Sequence, residues 1–157
     1  MSEALADEAA IRRVMDRYGS GVDERDWAAF AEIFDDPLEV DFSGMDASMK
    51  PATLPRDTHV SGARAVIGQF DATQHMITNV QVALDGDRAR ARAVVRAEHW
   101  IGGLRGSPRY TMFGVYENGF RRTAAGWRIS RLVLRLTREE GNLDVWAEAL
   151  RRASAAR

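Results

Sequence analysis

Arg88-Ala89-Arg90-Ala91-Arg92-Ala93-Val94-Val95-Arg96-Ala97-Glu98-His99-Trp100-Ile101 alternates almost without a break. One face carries Arg88, Arg90, Arg92, Val94, Arg96, Glu98 and Trp100. The other carries Ala89, Ala91, Ala93, Val95, Ala97, His99 and Ile101. A period of two is the side-chain period of a strand. The stretch is therefore expected to be a long strand with a charged face toward water and a small apolar face toward a core. The alanines leave space on that face, for a packed helix or for a ligand. His99 is the one polar side chain among them.

Working outward, Asp85-Gly86-Asp87 is a hairpin turn signal, and residues 74–84 ahead of it read as the partner strand. Gly102-Gly103 opens a loop that runs to Pro108. Residues 109–121 then form a third long strand, Ala124-Ala125-Gly126 a turn, and residues 127–136 a fourth strand. Earlier in the chain, residues 38–42 alternate and add a shorter strand, with Val40 and Phe42 on one face.

The remaining segments read as helices and one loop. From about Asp7, apolar residues recur at helical spacing: Ile11, Val14, Met15, Tyr18 and Val22. Residues 1–5 are expected to fray, and Gly19 and Gly21 to weaken the helix near its end. Asp26 suits the N-cap of a short second helix with Trp27, Phe30, Ile33 and Phe34 inward, stopped by Asp35-Asp36-Pro37. Residues 43–59 read as a long loop, either a lid or a solvated excursion, with His59 at its surface end. Residues 61–70 suit a helix capped by Ser61. Asn142 caps a last helix through Val145, Trp146, Ala149 and Leu150, fraying after Arg152. Helices first and long antiparallel strands later make an α+β layout. Long strands curling around the helices make a cone with an interior pocket.

Bulk composition narrows the function classes. The 157 residues suit one domain, and a net charge of -1 gives no field that favours nucleic acid or an anionic membrane. The absence of cysteine removes disulfides, thiolate nucleophiles and cysteine metal sites. No apolar run approaches the roughly 20 residues of a membrane span, and the N-terminus is acidic, unlike a signal peptide. A cytoplasmic protein is expected. Gly102-Gly103-Leu104-Arg105-Gly106 reads as a hairpin loop rather than a phosphate cradle. The arginine face of residues 88–92 reads as solvated. Together with Trp100, the exposed sheet is a candidate homo-oligomer surface, for a dimer or trimer.

The residues that suit chemistry lie where the helix end meets the sheet. His75 shares strand parity with Ile77 and Asn79 and is expected to point inward, as is His99. Tyr18 and Asp23 close the first helix. Taken singly, Tyr18 is most simply a core aromatic, Asp23 a helix-end carboxylate and His99 a satisfied core histidine. Together they suit proton transfer beside a carbonyl. Neutral histidine is a base near physiological pH. A carboxylate orients it and stabilises its cation, and a tyrosine hydroxyl donates to developing enolate charge.

At these residues the chain resembles the SnoaL-like branch of the NTF2-like superfamily, which contains scytalone dehydratase and bile acid 7α-dehydratase. The resemblance is carried by Val22-Asp23-Glu24-Arg25-Asp26-Trp27, Val40-Asp41-Phe42, Thr73-Gln74-His75-Met76-Ile77-Thr78-Asn79, Arg96-Ala97-Glu98-His99 and Gly126-Trp127-Arg128-Ile129. It spans residues 8–138. It implies an NTF2-like cone, one domain over residues 1–157, in which Asp23 pairs with His99 and His75 is the acid/base group. Tyr18 stands five residues before Asp23, as a tyrosine does in bile acid dehydratase. Val22 and Phe42 stand where scytalone dehydratase has tyrosines that polarise the substrate carbonyl, so Tyr18 or Tyr116 is expected to do so here. Phe42, Asn79, Tyr116 and Trp27 are expected to touch substrate.

The activity expected is cofactor-independent dehydration of a small hydrophobic hydroxy-ketone such as a polyketide or steroid-like intermediate. Alternatives are a polyketide cyclase, a ketosteroid-isomerase-like enzyme and a non-catalytic ligand-binding domain. Asp23, His75 and His99 also form a two-histidine, one-carboxylate set of the non-haem iron type, and Asp23 with Asp41 could serve epoxide hydrolysis. The discriminating observation is whether Asp23, His75 and His99 converge.

Overall fold

In the computed structural model, which describes residues 2–156, the N-terminal helix α1 (Glu3–Asp23) buries Ile11, Val14, Met15, Tyr18 and Val22 along one stripe. Burying a side chain such as Ile11 contributes roughly 1.5–3 kcal/mol. The helix starts earlier than periodicity predicts because the Ser2 side chain caps it, accepting from the Leu5 N–H. Residue 1 of the expected frayed end lies outside the described residues, as does residue 157 at the other end.

Gly19 and Gly21 do not weaken the helix end, which runs on to Asp23. They are sites of close approach. A Cβ on Gly19 would stand 3.2 Å from the His75 carbonyl oxygen, and one on Gly21 would stand 3.2 Å from Phe30 Cβ. The missing side chains let α1 lie close on strand β3 (Ala72–Asp85) and on helix α2 (Trp27–Glu32). Asp26 caps α2 as expected, accepting from the Ala29 N–H at 3.0 Å.

Strand β1 (Phe34–Gly44) is longer than expected, because Asp35-Asp36-Pro37 does not merely stop a helix but lies within the strand. The ladder explains the tolerance. Its register shifts between Phe34 and Glu39, so Pro37, which has no N–H, falls where regular pairing lapses. The segment 43–59 is not one loop. Strand β2 (Ala52–Leu54) pairs with β1, and helix α3 (Arg56–Ile67) begins five residues before Ser61. Pro55 opens that helix with a pre-set φ of -57°, and the Asp36 carboxylate accepts the Arg56 N–H at 3.1 Å. His59 is therefore a buried helical residue rather than a surface loop residue.

Strands β3, β4 (Arg88–Trp100), β5 (Arg109–Thr123) and β6 (Gly126–Gly141) form the antiparallel meander, and helix α4 (Asp144–Ala155) follows. Asn142 accepts from the Asp144 N–H at 3.1 Å. The sheet order is β2-β1-β6-β5-β4-β3, with β1 parallel to β6. The six strands form one curved, open sheet, and register shifts in β3 and β5 mark where strands bend. On β4, Ala89, Ala91, Ala93, Val95, Ala97 and His99 are buried, as is Ile101 just past its end, as parity requires. Glu98, expected to face water, is buried as well and accepts from Arg96. Asp7 ties α1 to the sheet, accepting from both Arg122 Nη atoms and from Trp127 Nε1. Among the described residues no helix is long and apolar enough to cross a membrane.

Candidate active site

Asp23 is the last residue of α1, one helical turn after Gly19. Because Gly19 rests on the His75 backbone, the side chain one turn later lands over the His75 side chain. Asp23 Oδ1 lies 2.7 Å from His75 Nδ1, and Oδ2 accepts the His75 backbone N–H at 2.6 Å. Thr73 Oγ1 also donates to Oδ1, at 2.9 Å. A carboxylate at a helix C-terminus opposes the helix dipole, so these donors hold it there. Burial acts to raise the Asp23 pKa. The His75 hydrogen bond and charge, with Thr73, outweigh it and hold the carboxyl below its ordinary value.

Arg25 completes the support. Its backbone is left-handed, with φ 60°. Its Nη1 donates to Thr73 Oγ1 at 2.8 Å and to the Val22 carbonyl at 2.6 Å, and its Nη2 donates to the Phe70 carbonyl at 3.3 Å. A line of contacts thus runs from Arg25 through Thr73 to Asp23 and His75. Thr73 shares strand parity with His75, a signal that could have found it. Arg25 lies in the stretch that carries the family resemblance, but its reach across to β3 leaves no local pattern.

His99 does not pair with Asp23. Thr73, not His75, stands opposite His99 in the β3–β4 register, and α1 ends over the edge strand β3. His99 instead packs against His75 with ring centroids 5.6 Å apart, and against Phe70, Trp146 and Tyr110 at 4.7, 5.3 and 5.7 Å. It is fully buried, and neither ring nitrogen has a hydrogen-bond partner. Burial, with the His75 charge, lowers its pKa to about 3, so it is neutral.

Tyr18 and Tyr116 are both buried, with ring centroids 5.1 Å apart. Burial raises both phenol pKa values, so both hydroxyls keep their protons. Trp27 meets Phe30 edge-on, and Phe42 faces His59. Asn79 is not with them. It sits in the β3 bulge with φ 54°, exposed, because the register shift between Thr78 and Gln81 breaks the strand parity that would have turned it inward. Asp41 does not converge on Asp23 either. It accepts from Ser43 and faces Arg135 at 3.5 Å. Among the described residues no three histidine or acidic side chains gather as a metal-holding group.

A cleft of about 350 Å³ opens at the pair, lined by Met15, Asp16, Gly19, Ser20, Asp23, Glu24, Gln74, His75 and Ile77. The Asp23 side chain is 20% exposed and that of His75 only 5%, so the pair sits at the boundary of solvent and core. A larger groove of about 630 Å³ lies elsewhere, along Gln81, Arg90, Arg92 and Arg131. It holds no histidine, and the Asp23–His75 pair is absent from it. Tyr18 and Tyr116 line neither opening.

Comparison with known proteins agrees with this architecture. The Kfla4162 protein of Kribbella flavida superposes with a TM-score of 0.87 at 35% identity, over 92% of this chain and 99% of that one. A protein of Novosphingobium aromaticivorans, provisionally named a scytalone dehydratase, superposes with a TM-score of 0.77 at 26% identity, over 88% and 89% of the two chains. The hexachlorocyclohexane dehydrochlorinase LinA-type3 of Novosphingobium barchaimii shares the fold at 19% identity, with a TM-score of 0.70 over 89% and 92%. An uncharacterized protein of Mycobacterium tuberculosis is 26% identical over 129 residues, 82% of this chain and 84% of that protein. Residues 3–133 match the SnoaL-like domain model. With helices packed in an open, curved six-stranded sheet, the chain belongs to the SnoaL-like domain family.

Proposed function

We propose that this chain is a cofactor-independent lyase that dehydrates a small, hydrophobic hydroxy-ketone, of the polyketide or steroid-like kind. The observation that carries the reading is the Asp23–His75 contact at 2.7 Å. With Asp23 accepting at Nδ1–H, the lone pair of His75 is left on Nε2, and a base is poised for a substrate carbon acid. Nε2 takes the proton α to the carbonyl, and Asp23 stabilises the imidazolium that forms. The hydroxyl on the β carbon leaves with that proton as water, and a carbon–carbon double bond forms between the two carbons. In this reading the substrate carbonyl reaches inward past the cleft, which neither tyrosine lines, to Tyr18 or Tyr116, whose hydroxyl donates while negative charge develops on the oxygen. His99, neutral and unpaired, packs on the far side of His75 and keeps the base in an apolar surround.

The dehydratase name carried by the Novosphingobium aromaticivorans relative, at 26% identity, supports the same reaction class. Of the three groups whose convergence discriminates, Asp23 and His75 meet while His99 makes no hydrogen bond. The pair supports the enzyme reading, and the missing third partner keeps a ligand-binding domain as its rival. In this reading the whole chain is one domain and works as a homo-oligomer in the cytoplasm. The test is a panel of cyclic and linear β-hydroxy ketones, followed by the absorbance of the conjugated enone. Enone formation that disappears in His75→Ala is expected. Isomerised or cyclised product without loss of water would replace dehydration, and no turnover of any member would sink the reading.

A further inference from the structure

The catalytic reading leaves two buried, unpartnered polar atoms unused, Arg56 Nε and His59 Nε2. His59, on α3, is 8% exposed, and its Nε2 has no hydrogen-bond partner. Its surroundings are aromatic. Phe34 stands edge-on with centroids 4.9 Å away, and Phe30 and Phe42 stand at 6.2 Å. Phe30 and Phe34 also pack on Tyr18, at 5.3 and 6.1 Å, so this aromatic wall continues to the Tyr18–Tyr116 pair.

A phenylalanine or leucine would fill the same volume without burying an unpaired nitrogen, and such orphan groups in a core call for an explanation. A bound ligand supplies one. Three residues earlier on α3, Arg56 Nε lies 3.6 Å from the Asp57 carboxylate and is likewise buried without a hydrogen-bond partner. Burial lowers the His59 pKa to about 4, so the ring is a neutral donor or acceptor. Neutral imidazole among phenyl rings matches a neutral oxygen on a flat hydrocarbon.

We propose that His59 and its phenylalanine neighbours form a ligand-binding subsite that takes the hydroxyl or carbonyl of a neutral, flat-ringed hydrophobic molecule. This rests on the reading that the molecule takes a small hydrophobic substrate, and it names that substrate's polar end remote from the reacting carbons. The subsite needs no turnover, so binding alone tests it.

The probes are 2-naphthol and 2-methylnaphthalene, which differ in one hydrogen-bonding group at similar size. Binding is read by tryptophan fluorescence, since partly exposed Trp27 lies 6.0 Å from Phe30. The native chain is expected to bind the naphthol about tenfold more tightly, the scale of one buried hydrogen bond. His59→Phe should bring the two probes within about twofold, and His75→Ala should keep the native preference. In the native chain, naphthol should also move the 15N resonance of His59 Nε2 more than methylnaphthalene does, a readout that stands even if His59→Phe does not fold. The subsite is overturned if the native chain shows no preference, if folded His59→Phe keeps it, or if the resonance that moves belongs to His75 alone. A native-like preference in a chain that dehydrates nothing keeps the subsite and removes the lyase reading. Enone formation without the preference does the reverse.

Discussion

Asp23 holds His75 at two points, the ring nitrogen Nδ1 at 2.7 Å and the backbone N–H at 2.6 Å. A two-point grip fixes the position of the strand as well as the orientation of the ring. It also selects the tautomer, because a carboxylate can only accept at Nδ1–H. Asparagine can turn its amide nitrogen toward Nδ1 and favour the other tautomer. Asp23→Asn and His75→Ala are each expected to lower turnover by roughly a hundred- to ten-thousand-fold. Both should keep the native circular dichroism spectrum. A rate within threefold of native in either folded variant contradicts the mechanism.

Thr73 and Arg25 act on Asp23 from behind. The Thr73 hydroxyl lowers the Asp23 pKa by donating to it, and Arg25 holds Thr73 in place. Losing that donation lets the Asp23 pKa rise. Thr73→Val is therefore expected to move the acid limb of the kcat–pH profile toward higher pH and to lower kcat by about tenfold, the scale of one hydrogen bond to a charged group. KM should hardly change. Arg25→Gly, which keeps the left-handed backbone accessible, should reproduce the same shift in weaker form. An unmoved profile in both variants would separate these residues from the site.

Gly19 is the hinge of the geometry, with a Cβ position 3.2 Å from the His75 carbonyl. Valine adds three carbons against backbone that cannot rotate away. Gly19→Val is expected to cost about 1–3 kcal/mol through overpacking, read as a fall in the urea midpoint. It should also lower turnover, since α1 and β3 must separate. Alanine needs only a few tenths of an ångström and gains helix propensity, so Gly19→Ala should stay near native stability. A native-like Gly19→Val protein would show that β3, an edge strand, yields freely.

His59 and His99 make stability depend on pH. Burial lowers their pKa values to about 4 and about 3, against 6.5 for the unfolded chain. Between these values the unfolded state binds more protons, so stability falls as pH falls. The contribution is whole above the unfolded pKa, and by pH 5 each histidine has removed about 2 kcal/mol. Urea midpoints at pH 7.5 and pH 5 should differ accordingly, and His99→Leu should abolish about half of the difference. Equal acid sensitivity in native and variant would place the effect elsewhere.

Most of the fold was legible from period alone. The alternation of residues 88–101 named the small apolar buried face of β4, though it turned the buried Glu98 toward water, and helical spacing named the buried stripe of α1. Asp26 was legible as a capping residue for the same reason, since a cap bonds within its own few residues. The cap of α4 falls instead on Leu143, and Asn142, one residue earlier, accepts from the Asp144 N–H. Pro37 and Ser61 misled because their outcomes hung on distant partners. Pro37 falls in a lapse of the pairing with β6, and α3 starts early with help from Asp36, twenty residues away.

The site divides along the same line. Tyr18, Asp23, His75 and His99 were each recognisable by residue type and parity, because side-chain direction along one helix or strand is set locally. Which histidine Asp23 meets was decided by how far α1 slides along β3, and that offset is set by Gly19 against a carbonyl 56 residues on. Asn79 left its parity at a bulge, and His59 entered the core because α3 begins at Arg56. Direction along an element is a property of local backbone geometry. Convergence between elements depends on packing contacts between residues far apart in the chain, and no repeating pattern in the sequence records those.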